Sequence, residues 1–294
     1  MACGMNRSAD EGSWTICGFA MGPAFYGTED LMTIDTNNLS LVQDNEFAQA
    51  WEFDPAPEYP QTDWGMDTSN VAAINDTHGV TYVWEIWRGA SDGSIVDRGA
   101  GAVSVTLGED KPIATRVGPL LSGPDTVQLG LFAIMNNGGY VYAYTMGGPT
   151  GMMVGRVNAS DDVFDATKYE FLTVASNYTS WSTPGKIPSN SSEEFGMQTA
   201  NSDGSFTCNV YGSVFYNAYL NRYIMVCTIF MSYTSMYTSD TPWGPWSTEY
   251  GLLSDWGAGY GSHAHPEYNE DNGKTWYFSQ GPNGPFNVFK VTFP

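Results

Sequence analysis

Three short segments near the end of the chain decide the fold: Trp243-Gly-Pro-Trp-Ser247, Gly261-Ser-His-Ala-His-Pro266 and Gly273-Lys-Thr-Trp-Tyr-Phe278. They predict, in order, a turn, a short strand with two histidines, a tight turn, and a strand rich in aromatic residues. Glycine and proline favour turns, while aromatic and β-branched residues favour extended backbone. The stretch therefore predicts antiparallel strands that are joined by short connections.

The same pattern of a polar turn before an aromatic strand recurs along the chain. Its four copies are Asn75–Gly79 with Val80–Trp87, Asn136–Gly139 with Tyr140–Met146, Asn217–Arg222 with Tyr223–Phe230, and Asn269–Gly273 with Lys274–Gln280. The strands predicted before these turns are Thr68–Ile74, Val127–Met135, Ser205–Phe215 and Ser262–Tyr268, and those predicted after the aromatic strands are Ala100–Leu107, Met152–Val157, Ser235–Ser239 and Phe286–Phe293. Antiparallel units that repeat at long period predict an all-β β-propeller. An irregular β-sandwich is the alternative.

The four clear units and an N-terminal fragment predict a five-bladed propeller. The units occupy residues 65–294, and residues 1–50 are expected to form a partial or irregular first blade. An incomplete first blade stays open, because a ring that lacks a blade would expose a strand edge. The sequence shows no linker, so residues 1–294 are predicted to form a single domain.

Charge and composition limit the partners of this chain. The formal net charge is −21 with only 11 Lys and Arg, and aromatic residues make up 15% of the chain. Such an acidic chain repels nucleic acid and anionic membranes, and no apolar stretch is long enough to span a bilayer. The composition favours a neutral or cationic ligand, or simply solubility. We expect a polysaccharide or oligosaccharide as the partner, and a monomer.

Glycosylation sequons and cysteines favour a secreted, extracellular protein. The sequons begin at Asn6, Asn38, Asn75, Asn158, Asn177 and Asn190. Cys208 and Cys227 flank a predicted hairpin, which makes a cross-strand disulfide plausible. Together with Cys3 and Cys17 they make four cysteines, which allow three connectivities, and the sequence does not choose among them. The N-terminus has no apolar signal core, so a signal would lie upstream, or the protein is not exported.

Several motifs also carry a resemblance to a known family. In order, they are Tyr140-Val-Tyr-Ala-Tyr144, Gly155-Arg-Val157, Tyr169-Glu-Phe171, Asn217-Ala-Tyr-Leu-Asn-Arg-Tyr223, Trp243-Gly-Pro-Trp-Ser247, His265-Pro266 and Asn287-Val-Phe289. Over residues 65–294 the chain resembles the five-bladed propeller family, long of unknown function, that includes endo-D-arabinanases. The resemblance implies a propeller that cleaves furanosidic polysaccharide such as arabinan. The acidic first blade with which members of that family begin is not recognisable here.

Glycoside cleavage needs two carboxyl groups roughly 5 to 10 Å apart. Asp63 and Asp67 precede the first clear unit, and Glu267 lies two residues after His265, so these three are the candidate catalytic residues. Alternate residues of a strand share a face, so His263, His265 and Glu267 are expected to point the same way. The competing interpretations are a strand-entry turn at Asp67 and a buried polar cluster around the histidines.

The candidate substrate-binding residues are His263, His265, Asn70, Gln128, Asn209, Tyr211, Tyr260, Trp64 and Trp256. Amide and phenol groups at the predicted inner strands can bind sugar hydroxyls, while aromatic faces stack on sugar rings. Packing between blades is the competing role for each tryptophan. Two histidines and one glutamate do not predict a metal, and we expect no cofactor; an axial ion stays open only by analogy with other furanoside-cleaving propellers.

Two classes of function fit these features. The first is a secreted glycoside hydrolase, in which the two histidines orient substrate or tune the acid. The second is a non-catalytic carbohydrate-binding propeller or an inactive relative. A truncated gene product without a function of its own is a third alternative. Two carboxylates opposed across a pocket would favour the hydrolase, and one or none would favour the binding protein.

Overall fold

The computed structural model describes residues 5–7, 14–16, 30, 64–68, 70–87, 96–107, 112–230, 232–254, 261–280 and 287–294. These residues form an all-β fold whose helical parts are one-turn 3-10 helices at Asp161–Phe164, Ala166–Lys168 and Asp271–Gly273. None of the helices in these ranges is long and apolar enough to cross a membrane. Near the N-terminus, β1 (Met5–Arg7) pairs with β2 (Trp14–Ile16) in an antiparallel hairpin.

The remaining strands form four antiparallel sheets. The first contains β3 (Trp64–Thr68), β4 (Ala72–Ala73), β5 (His78–Trp87), β6 (Val96–Leu107) and β7 (Pro112–Ser122). The second contains β8 (Ala133–Asn137), β9 (Tyr140–Met146), β10 (Met152–Asn158) and β11 (Glu170–Phe171). The third contains β12 (Gly212–Asn217), β13 (Arg222–Thr228), β14 (Thr234–Ser239) and β15 (Tyr250–Leu253). The fourth contains β16 (Ser262–Glu270), β17 (Thr275–Gln280) and β18 (Asn287–Thr292).

These sheets are the blades of a β-propeller, which confirms the predicted fold class. Inner strands of consecutive sheets lie beside one another, since β4 contacts β8, β8 contacts β12, and β12 contacts β16. Apolar cores fill the space between the first and second, second and third, and third and fourth sheets. The described residues hold four blades rather than the predicted five. Apart from β1 and β2, the predicted partial blade at 1–50 falls almost wholly outside them, and it stays a prediction.

The turn signals of the sequence are confirmed. Each of the four predicted polar turns joins an inner strand to the next strand, and Gly138 and Gly139 of the second blade both take positive φ, as short hairpins require. In the first blade the inner strand is interrupted: β3 and β4 pair with successive parts of β5. The predicted strand Thr68–Ile74 therefore corresponds to the end of β3 and to β4.

Two predicted inner strands begin too early. The apolar run from Val127 forms turns, in which Leu131 N donates to Gln128 O and Gly130 takes a φ of +68°, before β8 begins at Ala133. The segment from Ser205 is irregular until β12 begins at Gly212. A Cβ atom at Gly212 would lie 2.3 Å from Val226 O and 2.4 Å from the Phe132 ring, so only glycine fits where the two blades meet.

Side-chain amides join the inner strands of neighbouring blades. The Asn70 amide donates to Ile134 O (2.8 Å) and accepts from Ile134 N (3.0 Å). Asn217 is 2% exposed; it donates to Gly273 O (2.7 Å) in the fourth blade and accepts from Leu220 N (2.9 Å) in its own hairpin. These bonds satisfy backbone groups that no strand ladder reaches.

A disulfide bond joins Cys208, in the irregular segment before β12, to Cys227 of β13. The predicted pairing of these two cysteines is thereby confirmed. Both side chains are buried in the core between the second and third blades. Cys3 and Cys17 lie outside the described residues.

Replacement of Asn217 by Ala should destabilise the protein by about 1–3 kcal/mol, because it leaves the buried Gly273 carbonyl and the Leu220 N–H without their partner. Chemical denaturation measures this loss. The control is Asn269→Ala, which removes an exposed amide that donates to the nearby Pro266 carbonyl. Equal stability of the two variants would show that the amide link between the blades contributes nothing.

Candidate functional site

The blades converge around Tyr211, just before the inner strand of the third blade. Its ring packs against the core shared by the first two blades, and it borders Gly261 of the fourth blade, where an added Cβ would lie 3.4 Å from Tyr211 Cδ2. Gly212 N donates to Phe132 O (3.1 Å), and Ala264 N donates to the Ser213 hydroxyl (2.9 Å). The starts of the inner strands therefore meet at one end of the propeller, and Tyr211 lies there.

The orientation of β16 is fixed by its contacts with the third blade. Ala264 belongs to the core between these blades, and the buried Ser262 hydroxyl lies 2.5 Å from Thr228 Oγ1 and 3.2 Å from Thr234 Oγ1. Alternate residues of a strand point to opposite faces. His263 and His265 consequently point away from the third blade.

A chain of hydrogen bonds runs through His265. Its Nδ1 lies 3.2 Å from Glu267 Oε1, and its Nε2 lies 2.8 Å from Ser279 Oγ on the adjacent strand. The His263 ring lies 6.0 Å from the His265 ring. A carboxylate only accepts hydrogen bonds, so Nδ1 of His265 carries a proton and donates to Glu267. The structure thus brings together the three residues that the alternation pattern had placed on one face.

Burial and neighbouring groups give His263 and Glu267 different charge states near neutral pH. Burial, helped by the neighbouring His265, lowers the pKa of His263 from 6.5 to about 4. Burial alone would raise the pKa of Glu267, but the hydrogen bond from His265, a backbone hydrogen bond and the positive charge that the imidazoles carry when protonated hold this pKa below its usual range. Near neutral pH the cluster therefore contains a neutral His263 and an ionised Glu267. Such a carboxylate can act as a base or a nucleophile.

Ser279 is a member of this cluster that the sequence did not single out. Ser279 of β17 pairs directly with His263 of β16, and its buried side chain lies on the same face of the sheet as the two imidazoles. Its position follows from the cross-strand register, because directly paired residues project to the same face. A sequence-based search could find it only after that register is known.

The other candidates that the structure describes make different contacts. Asn70 binds the β8 backbone as described above. Gln128 is half-buried, and its carbonyl accepts a hydrogen bond from the Thr145 hydroxyl (2.8 Å). Asn209 is exposed, and its Oδ1 accepts from Phe230 N (2.7 Å). Their roles in substrate binding stay predictions, as does that of Tyr211.

Five further candidates are described in part or not at all. Asp63, Trp256 and Tyr260 lie outside the described residues. Trp64 and Asp67 belong to β3, which is described here by its backbone alone. Within the described ranges, no group of three or more His, Cys, Asp or Glu side chains is arranged to hold a metal ion.

Comparison with known proteins supports the fold at a distance. No protein-family profile matches the chain, and no curated protein matches it. A presumed hydrolase from Bacteroides ovatus has a similar structure, with a TM-score of 0.55 and 15% identity over 74% of this chain. The chain spans about half, 54%, of the length of that protein. A likeness at this level of identity shows a shared fold only.

A second solved structure is more distant. The GH43_1 enzyme from Xanthomonas citri, complexed with xylotriose, has a TM-score of 0.35 and 11% identity, with 73% of this chain and 82% of that chain covered. This likeness is too weak to define a fold or a function.

The imidazole of His263 should titrate with a midpoint near pH 4, and NMR of its ring protons measures this directly. Between about pH 6.5 and pH 4 only the unfolded chain takes up this proton, so stability should fall as the pH falls through that window. His263→Gln should flatten this part of the stability profile. A midpoint near 6.5 in the folded protein would contradict the lowered pKa of this imidazole.

Proposed function

We propose that this protein is a secreted, monomeric carbohydrate-active propeller that hydrolyses a furanosidic polysaccharide such as arabinan. The observation that carries the proposal is the hydrogen-bonded chain from Glu267 through His265 to Ser279, beside a neutral His263. It provides an oriented carboxylate together with imidazole and hydroxyl groups, which can bind sugar hydroxyls. The cluster lies on the inner strand of a blade, and the blades of a propeller surround a central channel.

Glu267 fits the role of base or nucleophile, because its lowered pKa keeps it ionised near neutral pH. The general acid must instead hold its proton, which calls for a second carboxyl group with a raised pKa. We assign this role to Asp67, with Asp63 as the alternative. Both precede or lie on β3, the inner strand of the first blade. His263 and His265 would orient the sugar and set the charge of Glu267.

A non-catalytic carbohydrate-binding propeller is the second candidate. It is favoured by the fact that Glu267 is the single carboxylate of the cluster among the residues whose side chains are described. Such a site would hold a sugar through its imidazole and hydroxyl groups without cleaving it. The two candidates differ in product release and agree in binding.

Purified protein should release reducing sugars from a panel of arabinans and galactofuranose-containing polysaccharides. Glu267→Gln and Asp67→Asn should each lower the rate by about a hundredfold or more, because positioned acid–base groups contribute about 10² to 10⁴ in rate. The control is Glu193→Gln, an exposed carboxylate away from the cluster. Full activity in the Asp67 variant would move the acid to Asp63. Binding without product release from any polymer would support the non-catalytic candidate and reject hydrolysis.

Secretion is supported by the disulfide, because such bonds persist in oxidising compartments. Asn75, Asn158, Asn177 and Asn190 are all exposed, so glycans at these sequons would project into solvent. Protein secreted from a eukaryotic host should lose mass in steps when treated with an N-glycosidase. Replacement of each Asn by Gln should remove one step, and an unchanged mass after treatment would reject glycosylation.

A further inference from the structure

Five aromatic side chains lie at the end of the blades where the inner strands finish. This aromatic strip consists of Tyr140, Trp181, Tyr216, Tyr223 and Trp243. Tyr140 begins β9 directly after the turn that ends β8, and Tyr216 and Tyr223 flank the β12–β13 turn. The inner strands begin at the other end, near Tyr211 and His263. The aromatic strip therefore lies at the opposite end of the propeller from the start of the inner strands.

Ring contacts join the members of the strip in two groups, and the Tyr223 hydroxyl donates to Asn137 Oδ1 (3.0 Å), in the turn that leads to Tyr140. The buried Tyr142 ring lies beneath them, stacked on Trp243 at 6.1 Å and edge-on to Trp181 at 6.0 Å, while Trp181 and Trp243 lie 5.8 Å apart. Tyr216 contacts Tyr223 edge-on at 5.2 Å. All of these rings except Tyr216 pack against the core between the second and third blades. This core supports the strip from below.

The strip remains accessible to a ligand. Tyr216 is 47% exposed, and the other four side chains are half-buried. In contrast, Trp84, Trp246 and Trp276 are buried in the cores between blades. Large rings with one accessible part offer an apolar surface at little conformational cost, which suits the C–H faces of sugar rings.

Polar groups border the strip. The Arg156 guanidinium lies between the rings of Tyr140 (4.6 Å) and Trp181 (4.1 Å), and it binds Glu170 at 2.8 Å. The Tyr216 hydroxyl donates to the Asn221 amide oxygen (2.5 Å). Amide, hydroxyl and guanidinium groups beside aromatic faces can bind the hydroxyl groups of a carbohydrate.

Local charge selects the kind of ligand. At the strip, Arg156 is matched by Glu170 and Arg222 by Asp240 (3.1 Å), whereas the whole chain carries a net charge of −21. A locally balanced surface on an acidic protein suits an uncharged chain and disfavours an anionic polymer. We propose that the aromatic strip is a second binding site for a neutral polysaccharide chain. The proposal depends on the proposed function only for the class of ligand, and not on hydrolysis at the cluster around His265.

Electrophoresis through gels that contain arabinan, galactofuranan or xylan tests this site. The unmodified protein should be retarded by at least one polymer, and Tyr216→Ala with Trp181→Ala should weaken its affinity about fivefold or more, as expected from the loss of ring stacking. Trp243→Phe, which keeps a ring in the core, should weaken binding less. The matched control is Tyr250→Ala on β15, where the tyrosine is 50% exposed outside the strip and binding should be unchanged.

Hydrolysis of short soluble oligosaccharides separates the two sites. Strip variants should keep the rate of the unmodified protein on such substrates, while Glu267→Gln should keep its retardation in the gel. Retardation that the strip variants lose in a protein without hydrolytic activity would support the strip and reject the proposed hydrolase. The strip proposal is overturned if no polymer retards the unmodified protein, or if the strip variants bind as tightly as the Tyr250 variant.

Discussion

Neighbouring blades of this propeller lack a common hydrogen-bond ladder, so their inner strands must be joined in another way. Side-chain groups make these joints: the Asn70 amide binds both backbone groups of Ile134, Asn217 binds Gly273 O, and Ser213 accepts from Ala264 N. Each joint fixes the distance and the register between adjacent sheets. The packing of aromatic residues between the blades, and the position of every side chain at the inner strands, depend on that spacing.

Local signals in the sequence were sufficient for the turns and for the fold class. Polar turn residues with Gly specify hairpins through backbone geometry alone, and the period-two pattern specifies strands. The starts of the inner strands could not be predicted in this way. The run Val127–Ile134 is apolar because the cores on both sides of the second blade bury it, and an apolar run fits a buried turn as well as a strand. Gly212 marks a close approach of two blades that only the folded chain reveals.

The residues of the candidate site also differ in whether the sequence alone could predict their positions. Alternation along one strand was enough to place His263, His265 and Glu267 together. Ser279 required the pairing of two strands, which the sequence does not specify at the level of single residues. Asn70 shows that the residue type alone does not assign a role. An amide near an inner strand can bind a ligand or the neighbouring backbone, and the residue type is the same in both cases.

The disulfide between Cys208 and Cys227 affects how the segment before β12 can change during evolution. The segment before β12 carries Asn209 and Tyr211 yet has no strand structure of its own, so its position is inherited from β13 through the covalent bond and a few backbone contacts. Its exposed side chains can therefore be exchanged without disturbing a sheet, whereas Phe206, Cys208 and Val210 are buried. Substitutions in this segment can change ligand specificity while the strands of the propeller stay the same.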